Sequence, residues 1–163
     1  MKKHRVVFLD YDGVVNTLMW RDDGKCTYGF PSDNKVNNFQ SVQWVSEFCE
    51  KYGYSIVVTS TWRFENNYKE CLINGGLRNG IEILGRTPYI DGECRGAEIK
   101  QYLSEHPEIT EFLIFDDDTD MGALGGRLVK CDPFIGFGMA DFYKAEALHE
   151  KFSKIEKTFR KRV

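Results

Sequence analysis

Short apolar runs that stop abruptly at charged or glycine residues punctuate the chain: RVVFL at 5–9, SIVV at 55–58, FLIF at 112–115 and, more weakly, RLVK at 127–130. Contiguous rather than alternating apolar residues predict strands buried on both faces. Between the runs, apolar residues recur at helical spacing. After Pro31-Ser32-Asp33, which predicts a helix start, Val36, Phe39, Val42, Val45, Phe48, Cys49 and Tyr52 share one broad face, and Gly53 ends it. A second helix is predicted over 95–105, with Ile99, Tyr102 and Leu103 inward and a stop before Pro107. A third covers 141–159, where Ala145, Leu148, Phe152, Ile155 and Phe159 form a stripe suited to core packing. Strands alternating with helices indicate βαβ units, an α/β class and a mainly parallel sheet.

Two segments break this rhythm and are expected to be small, substrate-facing insertions in a single domain over residues 1–163. The first, 16–31, places Asp23-Gly24 between hydrophobic stretches, a hairpin turn. The second, 64–94, contains Asn74-Gly75-Gly76, Asn79-Gly80 and Asp91-Gly92, so turns are expected to dominate it.

A chain of 163 residues suffices for one domain with its own hydrophobic core. Two aspartates interrupt the apolar run after the basic N-terminus, so neither an export signal nor a membrane span is predicted, and a cytoplasmic location is expected. Cys26, Cys49, Cys71, Cys94 and Cys131 are odd in number and never form a CxxC pair, which fits reduced thiols rather than a disulfide framework or zinc. A net charge of −3 gives no global attraction to nucleic acid or acidic membranes. The basic C-terminal residues Lys154, Lys157, Arg160, Lys161 and Arg162 read as a solvated helix end. His4, His106 and His149 lie apart from the polar clusters described next and are expected at the surface.

Three predicted strands end in polar clusters: Asp10-Tyr11-Asp12-Gly13, Thr59-Ser60-Thr61-Trp62-Arg63, and Asp116-Asp117-Asp118-Thr119-Asp120. In parallel α/β sheets the carboxyl ends of strands face the ligand crevice, so the clusters are expected to converge. Carboxylates gathered from two strands repel unless a cation sits among them, and hard oxygen donors favour Mg²⁺. Asp10 is then placed to attack phosphorus, giving an aspartyl-phosphate. Asp12, two residues on, can donate a proton to the leaving group and later take one from water. Arg63 could fork onto a substrate phosphate and Trp62 stack on a base; equally, Trp62 could cap the core and Arg63 pair with an acid.

These residues resemble the haloacid dehalogenase (HAD) superfamily. Its first motif is matched by FLDYDGVVN (8–16), its second by VVTS (57–60) and its fourth by FLIFDDDTD (112–120). Arg95 is the best match for the basic third motif, where lysine is usual, with Lys100 as the alternative. The resemblance spans residues 5 to about 133 and implies a three-layer Rossmann-like domain with Mg²⁺ as cofactor. It implies Asp10 as nucleophile and metal ligand, and Asp12 as acid/base with its backbone carbonyl on the metal. Thr59 and the Ser60 amide would hold a phosphate oxygen, and Arg95 would balance charge. The family's D-x-x-x-D spacing favours Asp116 as the direct ligand and Asp120 as its support, with Asp117 as the contender. Asp at the position of Asp12 separates phosphatases from the dehalogenase and phosphonatase branches.

The insertions are too small for a large cap, so the resemblance implies an open site. It favours a phosphate exposed on a large substrate, a nucleic-acid end or a phosphoprotein, over a free metabolite. STWR and FDDDTDM also look similar to small phosphatase domains associated with RNA repair. A receiver-like phospho-acceptor is the rival from another class. Receivers, however, carry their aspartate on a middle strand of the sequence, and a stable phospho-switch has no use for Asp12. Sequence leaves the oligomeric state open.

Overall fold

The computed structural model describes residues 4–160. Five parallel strands form one sheet in the order β5-β4-β1-β6-β7: β1 (His4–Leu9), β4 (Tyr54–Val58), β5 (Ile83–Arg86), β6 (Ile109–Asp116) and β7 (Leu128–Lys130). The remaining strands, β2 (Met19–Trp20) and β3 (Cys26–Thr27), pair antiparallel as a separate hairpin. Among the described residues there are four α-helices: α1 (Phe39–Tyr52), α2 (Tyr68–Asn74), α3 (Arg95–Glu105) and α4 (Met139–Arg160).

Pleat alternation sorts the apolar residues into two layers. Val7, Leu9, Ile56, Val58, Leu113 and Phe115 pack with α1, α2 and α4 through Val45, Phe48, Leu72 and Ala145. Val6, Phe8, Val57 and Ile114 face the other way, onto Ile99 and Tyr102 of α3. Both faces are therefore dry, which is why these strands read as unbroken apolar runs. Together the sheet and its two helical layers form a three-layer Rossmann-like α/β fold.

α1 starts later than its pattern predicts. Pro31–Asp33 form a 3-10 turn, closed by Asn34 in the left-handed region, and the helix itself begins after Asn38, whose Oδ1 accepts from the Ser41 amide at 3.0 Å. Val36 is buried from the preceding loop and Phe39 is exposed, so the inward face begins at Val42. Gly53, at φ +70°, ends the helix as expected.

The segment 64–94 is not an insertion. It supplies α2 and β5, and β5 is the edge strand beside β4. Residues 16–31 do contain the expected hairpin, with Gly24 at φ +76° and its amide bonded to the Arg21 carbonyl. His149 also departs from expectation. It is buried on α4, 2.8 Å from Glu111 Oε1 and 3.0 Å from the Tyr54 hydroxyl. The side chains of Lys157, Phe159, Arg160, Lys161 and Arg162 lie outside the described residues. Among the described residues, no helix is long and apolar enough to cross a membrane.

Candidate active site

Parallel register brings the strand ends into one row. Leu9 pairs with Val58 and with Phe115, so Asp10, Thr59 and Asp116 emerge side by side at the carboxyl edge of the sheet. Oxygens of Asp10, Asp116 and Asp117 all lie within 4.8 Å of one another. Arg95, at the first turn of α3, reaches in from the side, with Nη1 3.4 Å from Asp10 Oδ1 and 3.6 Å from Asp116 Oδ2. Lys100, further along the same helix, is exposed to solvent and takes no part.

Asp120 explains how Arg95 is aimed. Its carboxylate accepts from the Arg95 amide at 3.1 Å and its carbonyl from the Gly96 amide at 3.1 Å. That caps α3 from across the site and fixes the helix start against the acidic loop. Gly96 permits the contact, since a Cβ there would lie 2.2 Å from the Met121 carbonyl. Gly13 has a parallel role beneath the acids: it sits at φ +81°, and a Cβ would fall 2.4 Å from the Asp117 carboxyl carbon.

Burial pushes the Asp10 and Asp116 carboxyls well above the usual range; Arg95 opposes this, and their proximity to each other adds to it for Asp116. Asp116 Oδ1 accepts from the Asp118 amide at 2.9 Å, whereas its Oδ2 is buried without a hydrogen-bond partner among the described residues. Converging hard oxygen donors with one orphaned lone pair are what a divalent cation would satisfy. The cluster fits such an ion.

Asp12 stands apart from that group. Its Oδ1 accepts from Asn16 Nδ2 at 2.6 Å and from Trp62 Nε1 at 3.0 Å. Burial raises its pKa while these two donors pull it down. Thr59 is fully buried beside Asp10, and its Oγ1 has no hydrogen-bond partner among the described residues. Ser60 opens the next turn, its Oγ accepting from the Trp62 amide at 3.3 Å.

Trp62 and Arg63 take the packing role of the two weighed for them. Trp62 is buried edge-on to Tyr11, with no face open to a base. Arg63 is buried, donates to the Thr59 carbonyl and pairs with Glu98 at 2.9 Å, so it supports the loop rather than reaching outward. Asn16, Trp62 as a partner of Asp12, Glu98 and Tyr28 were not legible in the sequence. Tyr28, just after β3, lines one cleft with Asp12 and Trp62, which puts the hairpin's base beside the acids; burial and then Asp117, Asp12 and Asp10 push its hydroxyl up to about 12.

A profile described as the HAD domain in Swiss Army Knife RNA repair proteins matches residues 6–142, most of the chain. This chain belongs to that HAD family. The HAD fold and its acidic strand ends make it a hydrolase of the kind that includes phosphatases. Two solved structures are similar in outline. A hypothetical protein from Xanthomonas campestris aligns at 12% identity and TM-score 0.47, covering 98% of this chain and 88% of that one. A protein described as a HAD family hydrolase, from Streptomyces avermitilis, aligns at 21% identity and TM-score 0.38, covering 75% and 62%. No curated protein matches.

Proposed function

We propose that the chain is a Mg²⁺-dependent phosphomonoesterase that works through an aspartyl-phosphate and acts on the phosphorylated end of a nucleic acid. The observation that carries this is the division of labour between two aspartates two residues apart. Asp10 lies in the acid cluster against Arg95, while Asp12 is held out of it by Asn16 and Trp62. The RNA-repair family supports a nucleic-acid end over a phosphoprotein, and the two-strand hairpin over the site leaves room for a large substrate.

Asp10, Asp116 and Asp117 would hold the Mg²⁺, which would neutralise phosphate oxygens when bound. A carboxylate oxygen of Asp10 attacks phosphorus and the ester P–O bond breaks. Protonated Asp12 donates its proton to the departing oxygen. Its Oδ1 is occupied by two N–H donors, so Oδ2 is the oxygen that carries the proton. Thr59 Oγ1 and Arg95 hold the remaining phosphate oxygens and balance their charge. In the second half Asp12, now ionised, takes a proton from water; the water oxygen attacks phosphorus and the P–O bond to Asp10 breaks, releasing inorganic phosphate.

The test is phosphate release, with and without Mg²⁺, from an aryl phosphate, phosphopeptides, mononucleotides and 3′- or 5′-phosphorylated oligonucleotides. The oligonucleotides should be turned over best, only with Mg²⁺, and Asp10→Asn should abolish all release. Activity surviving in that variant removes Asp10 as nucleophile; preference for a phosphopeptide or mononucleotide overturns the substrate class.

A further inference from the structure

Four buried side-chain polar atoms lack a hydrogen-bond partner among the described residues: Thr59 Oγ1, Asp116 Oδ2, Arg63 Nε and Thr87 Oγ1. A buried unpaired polar group is costly, so each calls for an explanation. All four lie at the carboxyl edge of the sheet. The first two belong to the phosphate and cation positions described above. Arg63 Nε and Thr87 Oγ1 do not, and both residues line one open cleft of about 270 Å³ next to the active site.

Phe64, Arg86, Pro88 and Tyr89 complete that cleft. Val58 pairs with Arg86 in the β4–β5 register, and the Thr87 amide donates to the Val58 carbonyl at 3.0 Å, so Thr87 continues the row Asp10, Thr59. Two strand spacings, roughly 10 Å, separate Thr87 from Asp10. Phe64 and Tyr89 are 56% and 62% exposed although both are aromatic, and their rings meet edge to face at 5.6 Å. The Tyr89 hydroxyl donates to Asp91 Oδ1 at 3.1 Å, which holds its ring in place. Arg86 is solvent-exposed, with Nη1 bonded to the Arg63 carbonyl. Exposed aromatic faces beside a guanidinium and buried, unpaired hydrogen-bonding groups form a surface that matches a stacked base with its phosphate.

We propose that this cleft is a nucleotide-binding subsite for the residue adjoining the phosphorylated end of a single-stranded nucleic acid. Its place in the substrate rests on Asp10 accepting the terminal phosphate; its capacity to bind does not. A base stacks on the exposed face of one ring while the other, set at 81° to it, meets the base edge; Arg86 meets a backbone phosphate, and Thr87 supplies a hydrogen bond. The subsite also explains how a chain of net negative charge engages a polyanion: a local aromatic and cationic surface replaces a global field.

The test is fluorescence anisotropy of short, labelled, unphosphorylated single strands, ribo and deoxyribo, titrated with the full chain without Mg²⁺. Both exposed-ring variants, Phe64→Ala and Tyr89→Ala, should weaken binding about tenfold. Arg86→Gln should lower the slope of log affinity against log salt by about 0.7. Thr87→Val should weaken binding while its melting temperature holds or rises, because an unpaired hydroxyl is removed. Tighter binding of the ribo strand assigns a hydrogen bond to the 2′-hydroxyl; equal binding leaves stacking and phosphate as the whole of recognition, and either supports the subsite. Wild-type affinity in all the variants, or no binding by wild type at low salt, overturns it. If variants lose binding while wild type releases phosphate from no substrate, the subsite stands and the phosphohydrolase reading falls. If phosphate is released from oligonucleotides and the variants bind normally, the reverse holds.

Discussion

Asp12 keeps one carboxylate oxygen between the Asn16 amide and the Trp62 indole, and that arrangement makes Trp62 a positioning residue. Both donors favour the ionised carboxylate, against the burial that favours the acid. Trp62→Phe keeps the ring and removes one donor. We expect kcat to fall about tenfold, the equivalent of one hydrogen bond to a charged group. The limb of the pH–rate profile that reports Asp12 should move to higher pH, because the ionised form has lost support. A fall in kcat with an unmoved limb would mean that Trp62 acts only through packing. The Asp-x-Asp spacing was legible along the chain as chemistry. The indole was not, because residue 62 meets residue 12 only once β1 and β4 lie side by side.

The helices are tied to the sheet by a polar anchor as well as by apolar packing. Glu111 on β6 accepts from Tyr54 at 2.7 Å, pairs with Arg5 at 3.1 Å, and meets His149 and Ser153 of α4. Burial pushes its carboxyl up, but the Tyr54 hydrogen bond, His149 and Arg5 outweigh it, and the net pKa lies below 4.5. With a depressed folded pKa, the unfolded state binds more protons near pH 4.5, so this stabilisation is present above that value and is lost as acid is added. Glu111→Ala should cost about 3 kcal/mol in urea unfolding at pH 7, since it strands several buried partners, and much less at pH 3. An equal loss at both pH values contradicts the anchor.

At this scale the strands β1, β4, β6 and β7, the end of α1, and α3 and α4 were legible, because each carries a run or stripe longer than its flanking turn signals. β5 and α2 were hidden. Ile83–Arg86 is a four-residue edge strand, half-buried and containing Gly85, and Tyr68–Asn74 makes only two turns before Gly75-Gly76. Segments so short between glycines carry too few apolar positions to show a period.

For the molecule as a whole, the acid cluster sets a conflict between stability and function. Asp10 and Asp116 have raised folded pKa values without a cation. The metal-free folded state therefore holds protons that the unfolded chain has released, and its stability falls as pH rises above the ordinary carboxylate range near 3.8. In the function proposed above Mg²⁺ would take the place of those protons, so it should bind more tightly at higher pH. Saturating Mg²⁺ should raise the melting temperature more at pH 8 than at pH 5 in scanning fluorimetry. Shifts of equal size would mean that the ion is not bound by this cluster.

β1 lies at the centre of the sheet, with β4 on one side and β6 on the other. Its partners come from positions 54–58 and 109–115, so Asp10 is among the first residues in the sequence while the acids beside it lie over a hundred positions later. Long loops must close before either neighbour repays their entropy, which makes such parallel pairing slow. Catalytic competence should accordingly be the last property recovered on refolding, trailing the helical circular-dichroism signal and coinciding with burial of the Trp62 fluorophore. Enzymatic turnover would then serve as a clock for completion of the central strand.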